Sequence, residues 1–269
     1  MMHSELYAAL EWYIDMGIDE CTDEYACNRL LLPLELQLPK QMTCKAISSA
    51  KYVGNDRHHD SQFVHPAFSC NTLEELKICI EQHASKHLLR LGARNMVFAD
   101  GLVSSKVMVI GEAPGRDEDI QGIPFVGKSG KLLDAMFNAI GLSRSDHQVE
   151  KSLYITNILP WKPPDNRAPS TDEVAFFLPF VRQHIYLVKP QIILLMGGTA
   201  SQHLLGIKGG ITKIRGKWYD YKDRDYKAFA MPSLHPAYLL RTTDMKRYSW
   251  IDLQRIQRKI LELTSPSGA

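Results

Sequence analysis

The feature that most constrains the fold is a regular alternation, from about Asn71 onward, of helical segments with short apolar segments. The apolar segments are rich in Val, Ile and Leu and too short for helices, which favours buried strands: KVMVIGE, YITNILP and QIILLMGG. The helical segments around them are TLEELKICIEQHASKHLLRL, SGKLLDAMFNAIG, TDEVAFFLPFVRQHIYLV and TASQHLLG. Because such alternation specifies a mostly parallel sheet covered on both faces, we predict a three-layer α/β/α fold around a central, mostly parallel four-stranded sheet.

Two further strand candidates, GKWYDY and KAFAMPSL, precede a closing helix at roughly residues 243–263. In sheets of this kind, ligands bind beyond the C-terminal ends of the strands, where the strand order reverses. The chemistry is therefore expected in the loops that follow strands. Three of these loops are conspicuous: GEAPGRDEDIQGIPFVG, NILPWKPPDNRAPS and SLHPAYLLR.

The N-terminal part of the chain has a different character. Residues 4–17 carry apolar side chains close to a 3.6-residue repeat, which predicts an amphipathic helix. Residues 38–68 lack periodicity and are polar, which predicts an exposed linker. Its histidines, His58, His59 and His65, could bind a metal, but a solvated linker is the favoured interpretation. We predict an N-terminal extension over residues 1–70 and a catalytic domain over residues 71–265.

Charge and hydropathy narrow the class of protein. With 45% hydrophobic residues in 269, the chain can bury a sizeable core, and no apolar run approaches the roughly 20 residues needed to cross a bilayer. The start, MMHSELYAALEWYIDMG, lacks the features of a signal or transit peptide, so a cytoplasmic location without membrane association is expected. Residues 1–40 carry 2 basic and 8 acidic side chains, whereas residues 207–262 carry 13 basic and 6 acidic ones. The basic C-terminal part suggests a polyanionic partner, although a solvated surface explains it equally well.

The cysteines do not form a recognisable metal or redox motif. All five lie in the first third of the chain, and no two of them have the C-x-x-C spacing. Free, reduced thiols are the favoured interpretation. These cysteines are Cys21, Cys27, Cys44, Cys70 and Cys79.

The segment from Gly122 to Ser129 satisfies the pattern G-x-x-x-x-G-K-[ST] of a nucleoside-triphosphate-binding loop. Such a loop leaves a buried strand and turns at once into a helix, whose free N–H groups point at the phosphates. Here the strand ends at Glu112, acidic residues intervene, and Pro124 removes a donor from the middle of the loop. A triphosphatase is therefore disfavoured. The loop instead offers carboxylates at Glu112 and Glu118 and an aromatic ring at Phe125.

Together, the three loops resemble the uracil-DNA glycosylase superfamily, and most closely its family 4, the thermostable-type enzymes of bacteria and archaea. GEAPGRDEDIQGIPFVGKSGKLL, NILPWKPPDNRAP and SLHPAYLLR match in order and in place, over roughly residues 90–262. ARNMVFADG resembles the segment that precedes the first strand in this family, and ALEWYIDMGIDE resembles the leader of alphaproteobacterial members. The resemblance implies a DNA glycosylase of base-excision repair, which flips uracil out of DNA and hydrolyses its N-glycosidic bond to leave an abasic site.

The resemblance implies a uracil-binding set of Phe125, Asn157, His235 and Ala113. Reading an extruded base requires stacking on an aromatic face and directional hydrogen bonds to its edge. Phe125 is the stacking candidate. The Asn157 amide can accept from uracil N3–H and donate to O4, whereas cytosine presents the opposite pattern. His235 can donate toward O2, where negative charge develops as the bond breaks. The alternative interpretations are that Asn157 is a turn asparagine and that His235 is a histidine packed in the core.

The catalytic acids implied by the resemblance are Glu112 and Glu118, with Asn166 as a partner in holding a water. A nearby anion stabilises an oxocarbenium-like sugar and can orient the attacking water. The sequence does not divide these two tasks between the acids. For Asp117 and Asp119, solvation and loop capping are preferred.

DNA contacts are predicted in the late loop SLHPAYLLR and at basic residues on both sides of it. An apolar side chain that enters the duplex lowers the net cost of unstacking, and Tyr238, Leu239 and Leu240 are the candidates. Core packing is the alternative for each of them. Basic side chains that could neutralise phosphates are Lys213, Arg215, Lys217, Arg241, Lys246 and Arg247.

The chain departs from the family at the cluster ligands. Family 4 members resemble one another in four cysteines that hold a [4Fe–4S] cluster, but two of these positions are Trp161 and Phe177 here. At most Cys70 and Cys79 lie near the site, which is too few for a Cys₄ cluster. We therefore predict no cofactor and no metal, with aromatic and aliphatic packing around Trp161 and Phe177 in place of the cluster.

Taken together, the sequence predicts a monomeric, monofunctional uracil-DNA glycosylase that acts on uracil-containing DNA without strand cleavage. The alternatives are a catalytically degenerate DNA-binding homologue and the disfavoured triphosphatase. Related members that form a covalent adduct need a histidine-bearing insert, and GGITKIRGKWY has no histidine.

Overall fold

The structure is a computed structural model that describes residues 65–89 and 92–264. The amphipathic helix predicted at residues 4–17 lies outside the described residues, as does the predicted linker up to residue 64. The division of the chain at residue 70 stays a prediction. No helix in the described part is long and apolar enough to cross a membrane.

The centre of the fold is a single sheet with strand order β1-β3-β2-β4-β6-β5. The four inner strands are parallel, and the strands at the two edges are antiparallel to their neighbours. The strands are β1 Asp100–Gly101, β2 Val107–Gly111, β3 Tyr154–Asn157, β4 Ile192–Met196, β5 Tyr219–Asp223 and β6 Tyr226–Ser233. The predicted α/β class is thus confirmed, with a mostly parallel sheet.

The predicted number of four strands is wrong, because the described residues form a six-stranded sheet. The inner strands β3, β2, β4 and β6 are the parallel core. The edge strand β1 has only two residues, which is too short to produce a pattern in the sequence. The edge strand β5 forms a hairpin with β6 through the turn at Arg224, where the backbone has a positive φ of 54°.

Helices cover both faces of the sheet, because successive residues of each inner strand point to opposite sides. Met108 and Ile110 of β2 belong to one apolar core, and Val107 and Val109 belong to the other. The first core is covered by α1 Leu73–Leu89, α4 Thr171–Val188 and α5 Gly198–Leu205, and the second by α3 Lys128–Asn138 and α8 Lys246–Thr264. This arrangement confirms the three predicted layers.

Several short elements were not predicted as separate elements, although Thr243–Met245 lies at the start of the predicted closing helix. Three are short helices: α2 Arg116–Gln121, α6 Ile211–Ile214 and α7 Pro236–Arg241. Three are 3-10 turns: Pro66–Ser69, Pro164–Asn166 and Thr243–Met245. Segments of three to six residues are too short to display a helical repeat, so the periodicity of the sequence does not reveal them. Three of them, α2, α7 and the 3-10 turn Pro164–Asn166, lie in the loops that were expected to carry the chemistry.

Residues 65–68 are part of the packed body, so the prediction of an exposed linker is wrong for this stretch. Ala67 is completely buried, and the ring of His65 packs edge-on against Phe180, with 4.9 Å between ring centroids. The Gln183 side chain of α4 donates to the backbone oxygen of Cys70 at 2.6 Å. Pro66 starts a 3-10 turn here. This turn packs on α4 through tertiary contacts, which produce no periodic pattern in the sequence.

Candidate active site

A cleft of about 210 Å³ opens at the C-terminal ends of the inner strands. It lies beside the switch between β2 and β4, which neighbour each other although β3 comes between them in the chain. This is the place where open α/β sheets bind ligands. The cleft brings together every residue predicted to contact uracil or to take part in catalysis: Glu112, Ala113, Glu118, Phe125, Asn157, Asn166 and His235.

Asn157 is the last residue of β3, and its side chain is 5% exposed. Its Oδ1 is buried and has no hydrogen-bond partner among the described residues. A buried polar atom without a partner costs about 1–3 kcal/mol, and a donor group of a ligand in the cleft would remove this cost. The amide therefore offers an acceptor to a donor group of a molecule in the cleft.

Phe125 forms a wall of the same cleft. Its ring is 3% exposed and lies 5.6 Å from the ring of His235, centroid to centroid, with 31° between the planes. Aromatic rings of this kind bind flat ligands by stacking. The backbone at Phe125 has φ 53°, a left-handed conformation that is unusual for a bulky residue.

Gly111, the last residue of β2, lies beneath both of these side chains. A Cβ atom at this position would stand 2.3 Å from Asn157 Oδ1 and 2.5 Å from Phe125 Cζ. Both distances are far below van der Waals contact, so any larger residue must displace the amide or the ring. Gly111 was not among the predicted site residues, because a glycine at the end of a strand is also typical of an ordinary turn.

We expect Gly111→Ala to lower kcat for the reaction of this cleft by about 10²-fold, the cost of misplacing reacting groups by roughly 1 Å. Thermal unfolding monitored by circular dichroism separates this effect from loss of the fold. Gly141→Ala is the matched control for the added methyl, because nothing lies within 4 Å of a Cβ there, although its φ of 81° strains the backbone. Wild-type kcat in Gly111→Ala would contradict the steric argument.

His235 precedes α7 as its N-cap residue, and its Nδ1 accepts a hydrogen bond from the backbone N–H of Ala237 at 3.2 Å. In a neutral imidazole one nitrogen accepts and the other carries the proton, so the proton is on Nε2. Burial and, to a smaller extent, the positive charge of Arg241 lower the pKa of His235 to about 4, while Glu118 acts in the opposite direction. The imidazole is therefore a neutral hydrogen-bond donor at neutral pH.

Glu118 is committed to hydrogen bonds within its own loop. Its Oε1 accepts from the N–H groups of Val126 and Gly127, both at 2.9 Å, and its Oε2 accepts from Gly115 N–H at 3.0 Å. The side chain is 7% exposed. Three backbone donors make Glu118 the anchor that shapes the loop around the cleft.

The same hydrogen bonds argue against a triphosphate in the segment Gly122–Ser129. A phosphate-binding loop directs its free N–H groups at the ligand. Here the N–H groups of Val126 and Gly127 are taken by the Glu118 carboxylate. Asp119 is likewise used internally, because its Oδ1 accepts from Arg94 N–H at 2.8 Å. It is buried, so of the two roles preferred for it, loop capping applies and solvation does not.

Glu112 is in a different situation. Its Oε2 accepts a short hydrogen bond of 2.6 Å from the hydroxyl of Thr199 in α5. In the described part of the chain, no second protein donor reaches this carboxylate, and Glu112 lines the cleft. Its other oxygen is therefore available to accept a hydrogen bond from a ligand or water in the cleft. Thr199 was not predicted, because the loop after β4 carries no unusual residues.

Asn166 reaches the cleft from the loop after β3, which is tightly constrained. Asp165 and Asn166 both have a left-handed backbone, with φ 53° and φ 50°. Next to them, the Arg167 guanidinium donates to both oxygens of Glu173, at 2.8 and 2.7 Å. The hydrogen bonds from Arg167 hold the pKa of Glu173 well below its usual range, at about 2. Arg167 also lines the cleft and was not among the predicted site residues.

A second cavity of about 480 Å³ adjoins the cleft and shares Glu112, Asn166 and His235 with it. Tyr238 and Arg241 of α7 line this cavity, together with Ile211 of α6. The two cavities form a continuous groove from the buried amide to the surface around α7. Of the predicted basic contacts, Lys213, Lys217, Arg241, Lys246 and Arg247 have exposed side chains.

Two of the predicted DNA contacts are placed elsewhere by the structure. Leu239 is completely buried, so it packs in the core, whereas the neighbouring Leu240 is 42% exposed. The Arg215 side chain is 13% exposed and pairs with Asp252, a buried residue of α8. Its guanidinium links the end of α6 to α8, so Arg215 is removed from the predicted phosphate contacts.

The positions of the predicted aromatic packing are also visible. Trp161 and Phe177 are 2% and 3% exposed, and their ring centroids lie 6.1 Å apart. Cys70 and Cys79 are both free and buried, and burial next to Cys79 raises the pKa of the Cys70 thiol to about 11. Among the described residues, no group of three or more His, Cys, Asp or Glu side chains could hold a metal ion.

Comparison with known proteins gives consistent relatives. A sequence model of the uracil DNA glycosylase superfamily matches residues 98–254. The type-4 uracil-DNA glycosylase of Saccharolobus solfataricus is 36% identical over 172 residues, which cover 62% of this chain and 77% of that protein. The enzyme of the same name from Thermotoga maritima is 32% identical over 190 residues, or 68% of this chain and 94% of that protein. The one from Archaeoglobus fulgidus is 33% identical over 166 residues, or 60% and 80%.

Proposed function

The chain belongs to the uracil-DNA glycosylase superfamily, and we propose that it releases uracil from DNA by hydrolysing the bond between the base and its deoxyribose. The observation that carries this proposal is the buried, unpartnered Oδ1 of Asn157 in a cleft shared with an aromatic ring, a neutral imidazole and a carboxylate. These are the groups that an extruded uracil requires. The activity places the protein in base-excision repair of DNA.

The base is recognised by stacking and by its hydrogen-bonding edge. Uracil stacks on Phe125, and Asn157 accepts from N3–H with Oδ1 and donates to O4 with its amide nitrogen. Cytosine has an acceptor at N3 and a donor at C4, so it leaves both groups of the amide mismatched. A site built around such buried polar groups rejects the wrong ligand strongly, because the groups are left unpaired. The buried position of Asn157 supports this reading.

Bond cleavage develops negative charge on the leaving uracil and positive charge on the sugar. As the bond from C1′ to N1 breaks, its electron pair goes to the base, and the Nε2–H of His235 stabilises the charge at O2. A neutral imidazole suits this task because it donates a hydrogen bond and keeps its proton. The uracil anion takes up a proton after it has left.

The water is assigned to Glu112. A carboxylate oxygen that faces the cleft can accept a proton from a water while the hydroxide attacks C1′. Thr199 holds the other oxygen of Glu112, and Asn166 provides a second polar group for the same water. Glu118 keeps the loop in shape and adds negative charge beside the oxocarbenium-like sugar. No lysine lines the described cleft, so we expect hydrolysis without strand cleavage.

DNA binds along the groove that joins the two cavities. Arg241 and the exposed lysines Lys213 and Lys217 neutralise phosphates, and Leu240 or Tyr238 fills the space that the base leaves in the duplex. The exposed position of Leu240 and the place of Tyr238 in the groove support these assignments. Monomeric action in the cytoplasm is also part of the proposal. One chain supplies every group of the cleft, which supports a monomer. Light scattering tests the monomeric state.

The decisive experiment is abasic-site formation on an oligonucleotide that carries one uracil. Matched oligonucleotides with cytosine or thymine at the same position serve as controls. We expect alkali-sensitive cleavage of the uracil strand alone, and no cleavage without alkali. DNA binding without product at high enzyme concentration would identify a catalytically degenerate homologue and overturn the proposal.

We also propose that the protein works without an iron–sulfur cluster. The cluster does not fit the residues present, because Trp161 and Phe177 fill two of the ligand positions and are packed in the core. Such a cluster is held by four thiolates, whereas the described residues contain two cysteines, Cys70 and Cys79. No step of the mechanism passes through a metal.

Protein purified without oxygen is expected to contain no stoichiometric iron and to have no visible absorption band. Iron is measured by colorimetric assay against protein concentration, with a family member that carries the cluster purified in parallel as the control. Four irons per chain, with a visible band that reduction bleaches, would contradict the prediction.

A further inference from the structure

The conformation of Phe125 requires an explanation beyond its place in the cleft. Its φ of 53° lies in the left-handed region, which glycine adopts freely and bulky residues avoid. Such residues cost about 1–3 kcal/mol and persist only where the surroundings hold them. The direction of the ring follows from this backbone conformation, so whatever fixes the backbone also fixes the stacking surface.

Arg144, in the loop between α3 and β3, stabilises this backbone conformation by hydrogen bonds. Its Nη1 donates to the carbonyl oxygen of Pro124 at 2.7 Å, and its Nη2 donates to that of Phe125 at 2.9 Å. A guanidinium is a planar fork of donors, which matches two successive carbonyl groups. A lysine has a single charged nitrogen and cannot reproduce this geometry.

The guanidinium is itself held in place. Its Nε donates to Asp134 of α3 at 2.8 Å, and Nη1 donates to Asp100 of β1 at 3.1 Å. Hydrogen bonds between charged groups are roughly twice as strong as neutral ones. The Arg144 side chain is only 14% exposed, whereas its partners Asp100 and Asp134 are 34% and 41% exposed, so water reaches the carboxylates more readily than the guanidinium.

Gly130 closes the other side of the Phe125 carbonyl. A Cβ at Gly130 would lie 1.8 Å from Phe125 O, so the first turn of α3 packs directly on this oxygen. The carbonyl is thus enclosed between Gly130 and Arg144. Two elements that do not touch the base together determine where the ring points.

We propose that Arg144 is a positioning residue for the reaction, which holds Phe125 as a preformed stacking surface for the extruded base. This inference rests on the proposed function. Without the hydrogen bonds from Arg144, the backbone at Phe125 relaxes and the ring turns away from the base. The base is then misplaced relative to His235 and Glu112. DNA affinity is set mainly by phosphate contacts, so it changes little.

The test compares Arg144→Lys and Arg144→Ala with Arg258→Lys, an exposed arginine of α8 that serves as the matched control. We expect both Arg144 variants to lower single-turnover uracil release by about tenfold to 10²-fold, with KM for DNA nearly unchanged. Circular dichroism and thermal unfolding establish that each variant is folded. If Arg144→Ala does not fold, Arg144→Lys carries the test, because it keeps the charge and the aliphatic stem.

A double-mutant cycle separates positioning from a merely structural role. If Arg144 acts through the ring, Arg144→Lys changes the rate by less than about twofold in a Phe125→Ala background. An equal loss in both backgrounds would overturn the proposal, as would a wild-type rate in Arg144→Lys. An inactive wild-type protein would instead overturn the proposed function, so the two failures are distinguishable.

Discussion

Glu112→Gln is expected to lower kcat for uracil release by about 10²–10⁴-fold, the usual contribution of a general base. The amide keeps the size of the side chain and can still interact with Thr199, but it cannot take a proton from water. DNA binding is expected to persist, because Glu112 contacts no phosphate in the proposed complex. Single-turnover excision assays give the rate, and fluorescence anisotropy on labelled DNA gives the affinity.

Two further glutamates serve as comparisons. Glu150→Gln changes an exposed carboxylate that pairs with Lys106 at the surface, and wild-type activity is expected. Glu118→Gln removes acceptor capacity from three backbone hydrogen bonds, so a lower melting temperature is expected together with reduced activity. If Glu112→Gln retained wild-type kcat while Glu118→Gln lost it with an unchanged melting temperature, the assignment of the water to Glu112 would be wrong.

His235→Ala is expected to reduce kcat by about 10²–10³-fold, or roughly 2.7–4 kcal/mol, as for other donors aimed at developing charge. The cause is the loss of the Nε2–H donor opposite O2 of the leaving base. His235→Gln retains a side-chain donor and should recover part of the rate. His147→Ala, in the loop after α3 and outside the described cleft, is the control.

The lowered pKa of His235 determines how kcat and stability depend on pH. Because burial lowers the pKa of His235 to about 4, the imidazole is neutral throughout pH 5–8 and its titration leaves no step in kcat there. Between about pH 6.5 and 4, the unfolded chain binds the proton that the folded protein excludes. This histidine therefore reduces the free energy of unfolding as the pH falls through that window. A rate step with a midpoint near 6.5 that disappears in His235→Gln would refute this reading.

The class of the fold and the location of the chemistry were accessible from local patterns. Segments such as QIILLM are almost entirely apolar, and they form inner strands of the sheet. The loops after these strands carried the predicted residues to one cleft, since the C-terminal ends of parallel strands meet at one edge. The short edge strand at Asp100–Gly101 was beyond reach because two residues have no period.

Which residue faces the cleft depended on three-dimensional packing. Leu239 and Leu240 are equivalent in the sequence, yet the first is buried and the second is 42% exposed. Arg215 was predicted to contact phosphate, but in the fold it pairs with Asp252, which is distant in the sequence. Glu112 and Glu118 could not be told apart either, because Glu118 accepts from its own loop whereas the donor to Glu112 is the distant Thr199.

The sequence by itself determined the α/β class, the family and the set of residue types that the reaction needs, because periodicity and motif order are properties of neighbouring residues. Only the tertiary structure decided that Gly111 leaves room for Phe125 and Asn157, that Thr199 holds Glu112, and that Arg144 holds Phe125. These contacts join residues 14 or more positions apart. Their energies depend on distance and orientation in space, which no local pattern records.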